Sequence, residues 1–247
     1  MSDRFFVAPP IEGQRVLLGG SEAHHLIHVM RLQPGDTVIL FDGSGAEFRG
    51  QIANLRRSEV EIDVLARAVV DRELPLSLTL GVALPKGDRQ KWLVEKMVEL
   101  GVTSLVPLRT VRSVAQPGNQ ALDRLQRTVI EACKQCGRNR LMELAEPRDW
   151  SDYVGDAPAA AWRLIAHPAT SDPPGIAAGV SHPMRNDVQR RPIFLAVGPE
   201  GGFSEEEVTL ATATGWQVRD LGPRLLRVET AALFLVASAI VQSQAWE

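Results

Sequence analysis

The residues whose types and spacing most clearly suggest chemistry lie in two segments near the end of the chain. They are Gly198-Pro199-Glu200-Gly201-Gly202-Phe203-Ser204 and Leu221-Gly222-Pro223-Arg224-Leu225-Leu226-Arg227-Val228-Glu229-Thr230. Glycines let backbone approach a ligand where no Cβ intervenes. Glu200, Glu229 and Arg227 place proton acceptors and a fixed cation beside them. Ile193 to Val197 reads as a buried strand ending at the first segment, and Ser204-Glu205-Glu206-Glu207 opens a helix with a capping-box pattern. Open α/β sheets bind ligands where strands end in such turns, so two of them roughly twenty residues apart predict one pocket. Taken singly, each is equally an ordinary strand-to-helix turn.

The elements that must carry these turns fall into two halves. Residues 1–71 read as β-rich, with Thr37 to Phe41, a turn at Asp42-Gly43-Ser44-Gly45, then Glu47 to Ala53 and Val60 to Leu65. In the last of these Val60, Ile62 and Val64 alternate with Glu61 and Asp63, the pattern of half-buried strands in a small barrel or sandwich. One short helix, Ser21 to Arg31, precedes Pro34-Gly35. A polar link, Asp71-Arg72-Glu73-Leu74-Pro75, marks a domain boundary near residue 72. Beyond it strands (76–84, 103–108, 161–166, 193–197, 216–221) alternate with helices (88–100, 122–136, one from 204, and 230–245). A Pro/Gly/Ala-rich stretch covers 167–191. Regular alternation predicts a parallel sheet with helices on both faces.

The 247 residues, 45% hydrophobic and 23% charged, suit an ordinary soluble globular protein with room for one large domain or two smaller ones. The longest apolar run, Ala231 to Val241, is too short to span a bilayer, and Met1 to Val7 has no signal-peptide pattern, so a cytoplasmic protein is expected. Cys133 and Cys136 have C-x-x-C spacing, but no second ligand pair accompanies them and they fall in a helical pattern. Small apolar helix residues explain them better than a metal site. The net charge of −3 conceals a basic segment: residues 86–140 hold eleven Lys/Arg against five acids. Such a face suits a polyanion, or equally a solvated helix surface.

At these residues the chain resembles the bacterial methyltransferases that modify N3 of a uridine in small-subunit ribosomal RNA, members of the trefoil-knotted SPOUT superfamily. The resemblance includes Arg4-Phe5-Phe6 and His24 through Asp36. It continues through Lys86-Gly87-Asp88, Lys96 to Val102 and Glu131 through Asn139, and ends in the two glycine-bearing turns. It implies an α/β protein with an N-terminal PUA-like β-barrel that helps bind RNA (residues 1–72) and a C-terminal knotted SPOUT domain with a parallel sheet (73–247). It further implies a homodimer, S-adenosylmethionine bent in the knot, and ribosomal RNA or the assembled 30S subunit as partner, without metal, DNA or membrane. Two positions depart from the family pattern: His28 stands where arginine is usual, and Val111 where glutamate is frequent.

By that resemblance the cofactor is held by Leu195, Gly198, Pro199, Glu200, Gly201 and Gly202 of the first turn and Leu221, Gly222, Leu226 and Thr230 of the second. Leu195, Gly198, Leu221 and Leu226 lie where an adenine slot would form. Uridine N3 is a poor nucleophile until its proton leaves, so the site needs a base or an environment favouring the anion. Arg227 or Arg138 could stabilise charge on the uracil oxygens, and Glu200 or Glu229 could take the proton. Glu229 could instead cap the last helix or pair with Arg227. Arg4, Arg31, Lys86, Arg89, Arg109, Arg112, Lys134, Arg138 and Arg140 are the candidates for phosphate contacts, which position RNA without reading it. The rival readings are a related enzyme acting on ribose 2′-hydroxyls or tRNA, and a non-catalytic RNA-binding assembly factor.

Overall fold

The computed structural model describes residues 3–8, 10–114, 117–168 and 191–243. The chain divides into two compact units, Met1–Glu73 with Ile130–Leu141, and Leu74–Val129 with Met142–Glu247.

Unit 1 is built on one sheet. Its strands are β1 (Arg4–Phe6), β2 (Arg15–Gly19), β3 (Thr37–Phe41), β4 (Ala46–Leu55) and β5 (Glu59–Val69), in the order β1-β3-β4-β5-β2. All neighbours are antiparallel except β1 and β3. Register shifts at Arg49/Gly50 and Ile52/Asn54 bend the β4–β5 ladder. Gly50 sits at the bend, where a Cβ would come 2.5 Å from the Ile62 side chain. The sheet curls without closing, since β1 and β2 remain its two edges; the expected barrel is a half-barrel. The predicted alternation in β5 buries Val60 and Ile62 fully. The open face is filled by a helical segment, α1 (Gly20–His24), which runs on in π-helical form over His25–Met30 and buries Ala23 and Leu26. The segment stops at Arg31, which takes the left-handed conformation at φ 57° just ahead of Pro34-Gly35.

Unit 2 has a parallel sheet in the order β12-β10-β11-β6-β7-β8. The strands are β6 (Leu78–Val82), β7 (Ser104–Arg109), β8 (Glu143–Leu144), β10 (Trp162–Ala166), β11 (Ile193–Val197) and β12 (Gln217–Arg219), with β9 (Arg148–Asp149) pairing farther along β7. The helices are α2 (Arg89–Glu99), α3 (Asn119–Cys136, whose last turns belong to unit 1), α4 (Trp150–Asp156), α5 (Glu205–Ala213) and α6 (Val228–Gln242). In α2 the residues Leu93, Val94, Met97 and Val98 are spaced to bury one stripe. α6 follows edge strand β12 yet packs on α2, β11 and β6, so the chain returns from the sheet edge to its middle.

The parallel α/β class expected from the alternation is what the sheet shows. β1, β2, β8, β9 and α4 were not legible in the sequence. α4 is seven residues long, and what holds it is an aromatic cluster of Trp150, Tyr153, Phe203 and Trp216 drawn from distant positions. Most of the Pro/Gly/Ala-rich stretch and the last residues of the expected terminal helix lie outside the described residues.

Candidate active site

Because β12, β10 and β11 are neighbours, the loops leaving their C-terminal ends converge although they are distant in sequence. They enclose a cavity of about 330 Å³. Ala166, His167 and Pro168 contribute from β10, Gly198 to Phe203 from β11, and Asp220 to Gly222 with Arg224 to Leu226 from β12. Val228 and Ala231 of α6 and Arg112 complete the wall.

Local chemistry explains how these loops hold their shape. At Gly198 a Cβ would stand 3.0 Å from the Phe203 ring and 3.2 Å from its backbone nitrogen, so the turn can fold this tightly only without one. Gly202 has φ +68° and donates its N–H to the Pro199 carbonyl at 2.8 Å. Arg112 donates Nη1 to the Gly201 carbonyl at 2.7 Å. The capping box is present: the Ser204 hydroxyl accepts from Glu207 N–H at 3.2 Å, and Glu207 Oε2 accepts from Ser204 N–H at 2.8 Å. Glu207 is buried, and its second oxygen accepts from Val111 N–H at 2.9 Å, tying the loop after β7 to the same corner.

Of the residues expected to hold a cofactor, Gly198, Pro199, Glu200, Gly201, Gly202, Leu221, Gly222 and Leu226 line the cavity. Leu195 and Thr230 are not among its walls. Leu195 is buried in the middle of β11, its carbonyl accepting from the Tyr153 hydroxyl at 2.9 Å, and Thr230 is exposed on α6. Arg227 is exposed at the N-cap of α6. Glu229, one of the expected proton acceptors, is buried in the first turn of α6, where a carboxylate suits the helix dipole. Its ion partner is Arg89, at 3.6 Å, rather than Arg227. Arg89 also donates to Glu200 Oε1 at 3.1 Å, so one guanidinium joins both acids. Glu200 keeps about half of its side chain in solvent.

Sequence reasoning missed His167 as a wall residue. No motif surrounds it; the signal was its position just after a buried strand. His167 N–H bonds to the Arg219 carbonyl at 3.1 Å, while Nδ1 is buried and has no partner among the described residues. Burial first, and the Arg112 charge second, push its pKa below the ordinary histidine value, so the ring is neutral at pH 7.

The basic residues divide sharply by environment. In unit 1 Arg4 is buried: it donates to Glu47 at 3.0 Å and to Asn139 Oδ1 at 2.6 Å, and lies over the Phe41 ring. Arg138 is buried too and forks onto both oxygens of Glu73. Lys134 donates to Glu22 at 2.9 Å. α3 ends where expected, at Gly137 with φ +85°, but the residues beyond it turn inward, Asn139 also donating to the Val70 carbonyl at 3.0 Å. Arg31 and Arg140 are exposed in unit 1, and Lys86 and Arg112 in unit 2. Arg109 pairs with Asp149. His28 is exposed and its ring lies tilted against that of His24, and Val111 is exposed. Neither Cys133 nor Cys136 is in a disulfide, and no cluster of metal-binding side chains occurs among the described residues. No helix among them is long and apolar enough to cross a membrane.

A domain family described as RNA methyltransferase domain matches residues 72–240, and one described as RNA methyltransferase PUA domain matches residues 18–65. Ribosomal RNA small subunit methyltransferase E of Synechocystis sp. is 33% identical to this chain, covering 98% of it and 79% of the relative. The Bacillus subtilis protein of that name is 28% identical, covering 91% and 89%. Among solved structures, a ribosomal RNA small subunit methyltransferase E from Neisseria gonorrhoeae, bound to S-adenosyl methionine, superposes with a TM-score of 0.83 at 30% identity over 98% of each chain. With an RNA methyltransferase domain following a PUA domain, this chain belongs to the ribosomal RNA small subunit methyltransferase E family.

Proposed function

We propose that this protein transfers the methyl group of S-adenosylmethionine to N3 of a uridine in 16S ribosomal RNA, working as a homodimer. The observation that carries the reading is the cavity in which both glycine-bearing turns meet. Its walls suit the cofactor: Val197, Leu221, Leu226 and Ala231 offer an apolar slot, and the glycine turns offer backbone groups at close approach. Bound there, the cofactor supplies an electrophilic methyl on a sulfonium. The protein's own task is to align the acceptor with that methyl and to manage one proton.

Glu200 is the side chain best suited to take the N3 proton. It lines the cavity, remains half in solvent, and is held in place by Arg89. Glu229, buried on the far side of the same guanidinium, acts as an anchor for Arg89. Arg227 at the start of α6 is exposed and free to reach an uracil oxygen or a phosphate. Among the basic residues, the exposed Arg31, Lys86, Arg112 and Arg140 remain the natural RNA contacts. Arg4 and Arg138 serve the interior of unit 1. The dimer reading is supported by Trp92 on α2 and Phe234 and Val241 on α6, large apolar side chains left exposed on two helices that pack together.

The experiment is calorimetric titration with S-adenosylmethionine, joined to mass spectrometry of nucleosides from 16S rRNA of cells lacking the protein. Micromolar-range binding that Gly202→Arg abolishes, with loss of N3-methyluridine, is expected. Loss of a ribose-methylated nucleoside instead would overturn the N3 assignment, and unchanged binding by Gly202→Arg would overturn the cofactor site.

A further inference from the structure

A second cavity, of about 240 Å³, lies beside the first, and the two share Pro199 and Glu200. It opens over the next strands of the sheet. Ala83, Leu84 and Lys86 come from the loop after β6, and Ser113 and Val114 from the loop after β7. The order β10-β11-β6-β7 therefore sets the cavities on either side of the turn that leaves β11, with the Pro199-Glu200 segment as the partition. Ala83 N–H bonds to the Val197 carbonyl at 3.0 Å, which fastens the start of that partition to the β6 loop.

Resting on the reading of the first cavity as the cofactor site, we propose that this second cavity receives the extruded acceptor base, and that Lys86 there stabilises the negative charge that uracil acquires when N3 loses its proton. Three features point to a single base. The volume is below the roughly 300 Å³ at which ordinary small-molecule sites begin. Ala83, Leu84, Val114 and Pro199 provide apolar surface for the faces of a flat ring, while one cation and one carboxylate are available for its polar edge. And a base modified inside folded RNA must leave its stack and lie next to the methyl donor, and this cavity shares Pro199 and Glu200 with the first.

Lys86 fits the electrostatic role because its charge is uncommitted. It is exposed and makes no ion pair or side-chain hydrogen bond among the described residues, whereas the nearby Arg89 is held by Glu200 and Glu229. The charged groups around the pocket are thus Lys86 from the β6 loop, Glu200 from the β11 loop, and Arg89 of α2 behind Glu200. The step balances: the N3–H proton passes to the Glu200 carboxylate, the N3 lone pair forms the new N–C bond, and the methyl–sulfur bond breaks, leaving a neutral thioether. Lys86 lowers the energy of the anion between these events.

The test compares full-length wild type, Lys86→Met and Lys86→Arg in single-turnover methylation of 30S subunits at saturating enzyme and cofactor, across pH, with cofactor affinity measured alongside. Expected for Lys86→Met are unchanged cofactor affinity, a saturating rate near neutrality reduced about 100-fold, and recovery as pH rises and uracil ionises unaided. Lys86→Arg should restore most of the rate, because the cation is retained. A Lys86→Met enzyme whose RNA affinity falls while its saturating rate and pH profile stay as in wild type would reduce Lys86 to a phosphate contact and overturn the proposal. Equal losses in both variants with an unshifted pH profile would also overturn it. If the wild type itself methylates an atom other than N3, the underlying functional reading fails instead, and the product analysis separates that outcome from the others.

Discussion

Single side chains in this protein are governed by how their charge is matched. His167 stands in the wall of the proposed cofactor cavity with Arg112, Asp220 and Arg224, and burial and Arg112 favour its neutral ring. A depressed histidine pKa means the neutral form persists below the usual value of 6.5, and protonation comes only as pH falls through the lower folded value. A cofactor bearing a sulfonium favours the neutral ring, so its affinity should fall as pH drops through the lowered folded value, below 6.5. His167→Asn should flatten that dependence; a wild-type affinity that stays constant while the ring itself is seen to titrate by NMR would show that its charge does not act on the ligand. Glu47 illustrates the opposite case. Burial opposes its ionisation, but hydrogen bonds from Arg4, Arg72 and Asn139 outweigh that and hold the carboxyl below its ordinary value of 4.5. Its contribution to unit 1 is therefore complete above pH 4.5 and is lost as pH falls through the lower folded value. Removing the charge with Glu47→Gln leaves the buried Arg4 without its carboxylate, though still bonded to Asn139 and Gly137, and should cost about 3 kcal/mol at neutral pH. Every described tryptophan lies in unit 2, so hydrogen exchange in β3–β5, rather than fluorescence, is the readout.

At the level of elements, the N-terminus of α5 organises the site. Ser204 and Glu207 satisfy each other's backbone donors, and Glu207 reaches on to Val111. Ser204→Ala should cost about 1 kcal/mol of unit 2 stability in denaturant unfolding. Glu207→Ala should cost more, since Val111 N–H loses its acceptor as well, and the two losses should not add because they share one network. Equal effects would mean that the Val111 contact contributes nothing. The capping box and the strand before it were legible because their signals are local: a hydroxyl, a carboxylate three residues on, and an apolar run. α4 and β1 were not, because seven and three residues carry too little periodicity and their hold comes from Phe203, Trp216 and β3.

For the whole molecule, α6 joins the site to the expected dimer. Its first turn carries Val228 into the cavity wall and Glu229 onto Arg89, while Phe234, farther along, is half exposed. If Trp92, Phe234 and Val241 belong to a shared interface, Phe234→Glu should convert a dimer to a monomer in light scattering, with the fold intact by circular dichroism, because a charge cannot be buried unpaired. An unchanged dimer mass would place the contact elsewhere on the surface, and a monomeric wild type would overturn the dimer reading. The exposed Leu225 at the cavity rim, 97% accessible, is a second place where a partner or the RNA would cover apolar surface.

The sequence by itself determined the elements with strong local codes, the parallel α/β class, and the two turns that meet at the cavity, because glycine at a strand end and a helix cap act over a few residues. Resemblance carried the family. Only the tertiary structure decided which chains of side chains meet: that β10 lies between β11 and β12 and so brings His167 to the wall, and that Arg89 bridges Glu200 and Glu229. It also decided that Arg4 and Arg138 face inward, where Glu47 and Glu73 balance them, and that the N-terminal sheet stops short of closure. These outcomes depend on strand order and on which buried charge finds a partner. Both are set by contacts between residues far apart in the chain, and no local pattern encodes them.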